Sequence, residues 1–263
     1  MAASANPAGS RPRPRAGALL WCLVVPVLVV SAYIGLGFVA TGLVADPITA
    51  TVVLGVVVTL VVGLLRWRRP AWFAYEPAPV PPGSGSGAVR FWSGVAGAGL
   101  LAFLAGQTMG LWLHHVFGSP GFEAQAASRH AAGVMAIILV LLVSPLSEEA
   151  LFRGVLYPLL RRRVAVVVAV AVQAAAFAIM HANIVQIASV LPLAALLAIV
   201  YERTRGLVPV VLVHIGFNLA AALVPPAWLG FLAHPLAVIP LGVTFGLVLA
   251  GLAPGRATGG PAA

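Results

Sequence analysis

AGALLWCLVVPVLVVSAYIGLGFVA, residues Ala16 to Ala40, carries no charged side chain. It is apolar on every face, so no periodicity divides it into a wet and a dry side. A helix crossing a bilayer takes about 20 apolar residues, and this run is long enough. The apolar core of a secretory signal is only about 7–15 residues, so the run is read as a retained span rather than a cleaved leader. Strands of a transmembrane barrel alternate apolar and polar residues. A continuously apolar run excludes that architecture and leaves a helix.

The rest of the chain repeats the pattern. Of its 263 residues, 61% are hydrophobic and 8% charged, against about a quarter charged in a soluble domain. Further apolar runs cover Ile48 to Leu65, Phe91 to Leu113, Ala131 to Val143 (a helix that continues past a polar Ser147-Glu148-Glu149 insertion to Arg161–Arg163), Val164 to Met180, Ile184 to Val200, Leu207 to Leu223 and Trp228 to Leu252. The expected fold is all-α: a polytopic transmembrane helical bundle of about eight spans. Its organisation reads as a disordered tail over 1–15, two N-terminal transmembrane helices over 16–65, and a Pro/Gly/Ser-rich cytoplasmic linker over 66–90. A transmembrane catalytic core over 91–252, with its motifs within 131–223, and a tail over 253–263 complete it. The linker holds Pro77, Pro79, Pro81 and Pro82 before Gly83 to Gly87, a composition that cannot cross a bilayer.

All fifteen basic residues are arginine, against six acidic ones, for a net charge of +9. With the N-terminus inside and eight crossings, every arginine except Arg129 and Arg153 falls in an inside segment. That segregation follows the positive-inside rule and predicts both termini inside. Charge spread over short loops is a topology signal, so no nucleic-acid partner is expected; the partner is the lipid bilayer. Cys22 is the single cysteine, which excludes an intramolecular disulfide. Arginine without lysine, with abundant Ala, Gly and Val, suggests a GC-rich bacterial genome and hence a multi-pass protein of the bacterial plasma membrane.

Ionisable groups at membrane depth cost roughly 2.5–3.5 kcal/mol each and mark function. Three clusters stand out. In Ser147-Glu148-Glu149-Ala150-Leu151-Phe152-Arg153, Glu149 and Arg153 are four apart and share a helix face. Glu148 lies about 100° away on the wheel and is left for chemistry. Phe177 and His181 form a second i, i+4 pair, and His214 and Asn218 a third, with Gly216 between them. A carboxylate, two imidazoles and an amide on separate spans can activate water and stabilise an oxyanion. The same Glu148, His181 and His214 could instead hold a divalent metal such as zinc, which lowers the pKa of bound water. No His-Glu-x-x-His helix is present. His114, His115 and His130 read as solvated loop residues and His234 as interfacial.

Glu-Glu-x-x-x-Arg, Phe-x-x-x-His and His-x-x-x-Asn, in this order on successive spans, resemble the CAAX-protease and bacteriocin-processing (CPBP, or Abi) intramembrane proteases, which include the Rce1-type enzymes. The resemblance covers about Ala131 to Leu223. It implies that Glu148 activates the attacking water with His181 as its partner, that His214 and Asn218 stabilise the oxyanion, and that Glu149, Arg153 and Phe177 brace the site. The implied substrate is a peptide or membrane-anchored protein segment. Whether a metal or the glutamate alone drives the chemistry stays open, as does the oligomeric state. A non-catalytic immunity or scaffold protein of the same fold is the alternative reading. A proton-coupled transporter is a further one, though no two-half repeat supports it. Counting about 1.5 Å per residue from the arginine clusters puts Glu148 at about 20 Å depth, His214 at about 12 Å and His181 at about 27 Å. A common site therefore requires the fourth helix to tilt or to extend beyond the bilayer.

Overall fold

A computed structural model of the chain describes residues 16–75, 84–124, 127 and 133–254. The expected tail over 1–15, residues 255–263 of the expected C-terminal tail over 253–263, positions 76–83 of the linker, Arg129 and His130 lie outside the described residues. Among those described, every regular element is helical.

Among the described residues, eight long helices carry the fold: α1 Ala16–Leu43, α2 Pro47–Arg68, α3 Ser86–Phe117, α4 Val134–Arg161, α5 Val166–Ile179, α6 Ile184–Thr204, α7 Leu207–Leu223 and α8 Pro235–Leu252. Local chemistry sets several ends. Asp46 caps α2 by accepting from the Thr49 amide at 2.7 Å, with Pro47 at the first helical position. Asn183 caps α6 by accepting from the Gln186 amide at 2.9 Å. Arg66 and Arg68 fall in the last turn of α2, where cations oppose the negative end of the helix dipole.

Six of the eight helices are long and apolar enough to cross a membrane, while α5 and α7 are shorter apolar helices. The 14 residues of α5 make about 21 Å, short of the roughly 30 Å hydrocarbon core. The 28 residues of α4 make about 42 Å and exceed it. Unequal helix lengths bring together residues that equal spans would leave at different depths. The last helix begins at Pro235 rather than Trp228, because Pro226, Gly230 and Pro235 break the preceding stretch into two 3-10 turns. The linker is also shorter than expected at both ends, since α2 runs through Arg68 and α3 starts at Ser86.

The axis of the bundle is α6, which packs against α3, α5, α7 and α8. Its Leu193, Leu196, Leu197 and Val200 are fully buried. The contact with α3 depends on Gly106 and Gly110, four apart. A Cβ on Gly106 would run into the Ser189 backbone carbonyl, and one on Gly110 into the Ser189 hydroxyl. Small residues at this spacing let two backbones approach closely in lipid, where van der Waals packing replaces the hydrophobic effect. Large apolar side chains such as Phe38, Leu43, Val167 and Leu236 point outward, as a bundle dissolved in hydrocarbon requires.

Candidate active site

The pair Glu148-Glu149 sits in α4 between two π turns, Leu139–Val143 and Phe152–Leu156. Two prolines explain them. In the first turn hydrogen bonds run five residues back, as from the Ser144 amide to the Leu139 carbonyl. The next donor in that register would be residue 145, a proline with no N–H. The orphaned Val140 carbonyl accepts instead from Asn218 Nδ2 of α7 at 2.8 Å. Pro158 leaves the Gly154 carbonyl without its ordinary i+4 donor in the same way. Arg66 Nη1 of α2 supplies one at 2.7 Å. Each break in α4 is therefore stitched by a side chain from another helix, and the glutamates lie between the two stitches. Such π turns often occur where a helix must aim a functional side chain.

Glu149 and Arg153 are both fully buried and paired, with Arg153 Nη1 at 3.0 Å from Oε1 and 2.9 Å from Oε2. Arg153 Nη2 donates to the Ala194 carbonyl of α6 at 2.8 Å. Its guanidinium lies 4.9 Å from the centre of the Phe177 ring. Glu149 Oε1 also accepts from His214 Nδ1 at 2.7 Å. A carboxylate so enclosed, with its Oε1 shared by Arg153 and His214, is a holder rather than a reagent.

That bond orients His214. With Nδ1–H given to Glu149, Nε2 points the other way and stands 3.9 Å from Glu148 Oε2. The Glu148 side chain is 13% exposed while that of Glu149 is fully enclosed. Glu148 is thus the carboxylate with room beside it. Tyr33 of α1 lies beside Ser147 and within electrostatic reach of Glu148, a neighbour that no motif spacing announced.

His181 follows α5 and packs against Phe177. Both imidazoles face that ring, at 5.3 Å for His181 and 5.9 Å for His214. His181 Nδ1 lies 3.0 Å from the Phe177 carbonyl. A carbonyl can only accept, so Nδ1 carries the proton and Nε2 the lone pair. The turn behind it is held firmly: Ala182 has a left-handed φ of 58°, and Asn183 Nδ2 donates to the His181 carbonyl at 3.2 Å.

Glu148, Glu149, Arg153 and His214 are therefore brought together, with Phe177 packed against Arg153 and His214, while Asn218 bonds to α4 at Val140. Two expected pairings change. The imidazole beside Glu148 is His214, not His181, because the Glu149 bond pulls α7 onto α4. Asn218 donates to a backbone carbonyl of α4 rather than standing clear for an oxyanion. The proposed metal set of Glu148, His181 and His214 does not fit either. No group of three His, Cys, Asp or Glu side chains placed to hold a metal occurs among the described residues. No step below is routed through a metal. His114 ends α3 and lies 3.7 Å from Glu123, remote from α4 in the chain and in a different cluster. Sequence spacing missed Arg66, which reaches α4 from 88 positions away. The available signal was Pro145 and Pro158, two donorless residues flanking the glutamates in one helical run.

Residues 130–220 match the family model described as type II CAAX prenyl endopeptidase Rce1-like. The matched stretch contains all seven motif residues and runs from the start of α4 into α7. No curated protein and no solved structure gives a match to the chain.

Proposed function

We propose, from a chain whose residues 130–220 are Rce1-like, that this multi-pass membrane protein is an intramembrane endopeptidase. Glu148 is the general base. It takes a proton from water as the water oxygen attacks the carbonyl carbon of a peptide bond, and the proton returns to the departing amine. His214 is the electrophilic partner. Its Nε2 faces the space beside Glu148, and as imidazolium it donates from there to the oxyanion. Glu149 holds the ring by Nδ1–H and offsets its positive charge, the role a buried carboxylate plays behind a catalytic histidine. Arg153 balances Glu149. Asn218 and Arg66 are positioning residues that fix α4 on either side of the glutamates. His181, packed against the same Phe177 ring as His214, serves as a second proton acceptor. The substrate class is a peptide or a membrane-anchored protein segment, and both termini are placed on the arginine-rich, inner side of a bacterial plasma membrane.

The observation that carries this reading is the single chain of contacts Arg153–Glu149–His214–Glu148, at 2.9, 2.7 and 3.9 Å. It commits one carboxylate to structure and leaves the other with space. The test is cleavage of a quenched peptide library by the purified protein in detergent. Wild type is run beside Glu148→Ala, His214→Ala and His181→Ala, each with and without a chelator. Loss of cleavage with Glu148→Ala and His214→Ala, unchanged by chelator, is the expected result. Full cleavage by Glu148→Ala sinks the assignment.

A further inference from the structure

His181 sits in the short turn between α5 and α6. The turn closes tightly: the His181 amide donates to the Ala178 carbonyl at 3.1 Å, and the Ala182 amide to that of Ile179 at 3.0 Å. Ala182 then takes a left-handed φ of 58°, a conformation disfavoured for any residue with a Cβ. Such a backbone persists where its surroundings fix it, and these places cluster at functional sites.

Asn183 fixes it from the α6 side. Its Oδ1 accepts from the Gln186 amide at 2.9 Å and so caps the helix. Its Nδ2 donates the other way, to the His181 carbonyl at 3.2 Å and to Gln186 Oε1 at 2.7 Å. These bonds use the amide oxygen and both amide protons. Gln186 is buried, and Val185 beside it approaches α3 so closely that a Cβ on Gly110 would lie 3.0 Å from the Val185 carbonyl. Asn183 is thus anchored on the packed start of the axial helix. The imidazole is held from α5 instead, with Nδ1 donating to the Phe177 carbonyl at 3.0 Å and the two rings 5.3 Å apart. Backbone from one helix and ring from another together set the direction of Nε2.

We propose that Asn183 is a positioning residue for catalysis, acting through His181. The inference rests on the reading of His181 as a second proton acceptor. Capping α6 requires only an acceptor, and serine or aspartate caps a helix as well as asparagine does. What asparagine adds is a donor on the same side chain, and here that donor holds the His181 peptide. Without it the peptide is free to turn about Ala182 and to carry the imidazole away, and a displacement of about 1 Å at a reacting group costs about 10²-fold in rate.

The experiment uses the purified full chain and a peptide that it cleaves from the quenched library. Asn183→Ser and Asn183→Asp both keep an acceptor for the Gln186 amide and lose the donor to His181. Each is measured alone and on a His181→Ala background, where residual cleavage is followed, beside Glu148→Ala. Expected in both is a kcat lowered about tenfold or more with KM within about twofold. The unfolding midpoint should stay near wild type, and the His181→Ala background should show no further loss. A capping defect alone would lower the midpoint and act equally on both backgrounds. Nitrogen-15 spectra of histidine-labelled protein give a readout that needs no cleavage. His181, identified by the signal that His181→Ala removes, should show one tautomer with its proton on Nδ1 in wild type and an average of both in Asn183→Ser. Wild-type kcat in both Asn183 variants with Glu148→Ala inactive overturns the positioning role alone. Equal losses on both backgrounds, or an unchanged His181 tautomer, overturn it as well. Cleavage retained by Glu148→Ala sinks the protease reading, and the proposal with it.

Discussion

Replacing Glu149 by leucine should separate the architecture of the site from its chemistry. Glu149 Oε1 accepts from both Arg153 and His214, and Oε2 faces Arg153 alone. Glu149→Leu leaves the fully buried guanidinium with only the Ala194 carbonyl and the Phe177 face as company. Breaking a buried pair in this way costs about 3–5 kcal/mol. Arg153→Met should cost a similar amount, since it leaves a buried carboxylate with one imidazole. The double variant holds no uncompensated charge and replaces the pair by apolar groups of similar size, which is often close to neutral. It should therefore be more stable than either single variant, with a coupling of about 3 kcal/mol or more. Activity should behave differently. In both Glu149→Leu proteins His214 Nδ1–H has lost its acceptor, so cleavage should fall about 10³–10⁴-fold even where stability is recovered. Glu148→Gln should do the reverse and abolish cleavage while moving stability by no more than about 1 kcal/mol, because its contact with His214 is long, at 3.9 Å, and its side chain is partly exposed. The assay is a double-mutant cycle of unfolding in mixed micelles, beside peptide cleavage by the same preparations. Additive destabilisation would refute the buried-pair argument. Strong cleavage by the double variant would refute the orienting role of Glu149.

Asn218→Leu should cost about 1–3 kcal/mol, the penalty of an unpaired buried carbonyl, and should slow cleavage by loosening α4. Pro145→Ala restores a backbone donor beside Val140, so the double variant should recover part of that loss; no recovery in micelle unfolding would contradict the stitch between Asn218 and α4. Gly106→Ala should destabilise the contact of α3 with α6 by about 1–3 kcal/mol, because its Cβ meets the Ser189 backbone; an unchanged unfolding midpoint would argue against that close approach. Asp46 is held below the ordinary carboxylate range by hydrogen bonds from the Thr49 hydroxyl and then its amide. Its contribution to α2 is therefore present above the ordinary carboxylate pKa and is lost as pH falls through the lower folded value. Asp46→Asn should flatten the acid limb of the stability profile, and an unaltered limb would place the acid sensitivity elsewhere.

The class of the protein was legible in the chain alone. Charge-free runs long enough to span a bilayer leave a helical membrane bundle as the only arrangement that satisfies the backbone. The pairing of Glu149 with Arg153 was also legible, because four residues along a helix return to the same face. The clusters around Glu148, His181 and His214 stood out because ionisable groups are rare at membrane depth. Periodicity, however, reports which residues share a face, not which face meets which. Only the packed structure decided that His214 reaches to 3.9 Å from Glu148 and that both imidazoles pack against Phe177. Only it showed Asn218 bound to the Val140 carbonyl and Arg66 to the Gly154 carbonyl. Pro145 and Pro158 create those vacancies locally, but donors that fill them come from helices far along the chain. The bonds from Arg161 and Tyr75 to Glu202 have the same origin. Their charges read from sequence as loop topology signals, and they become a buried network because the segment after α2 folds back onto the ends of α4 and α6.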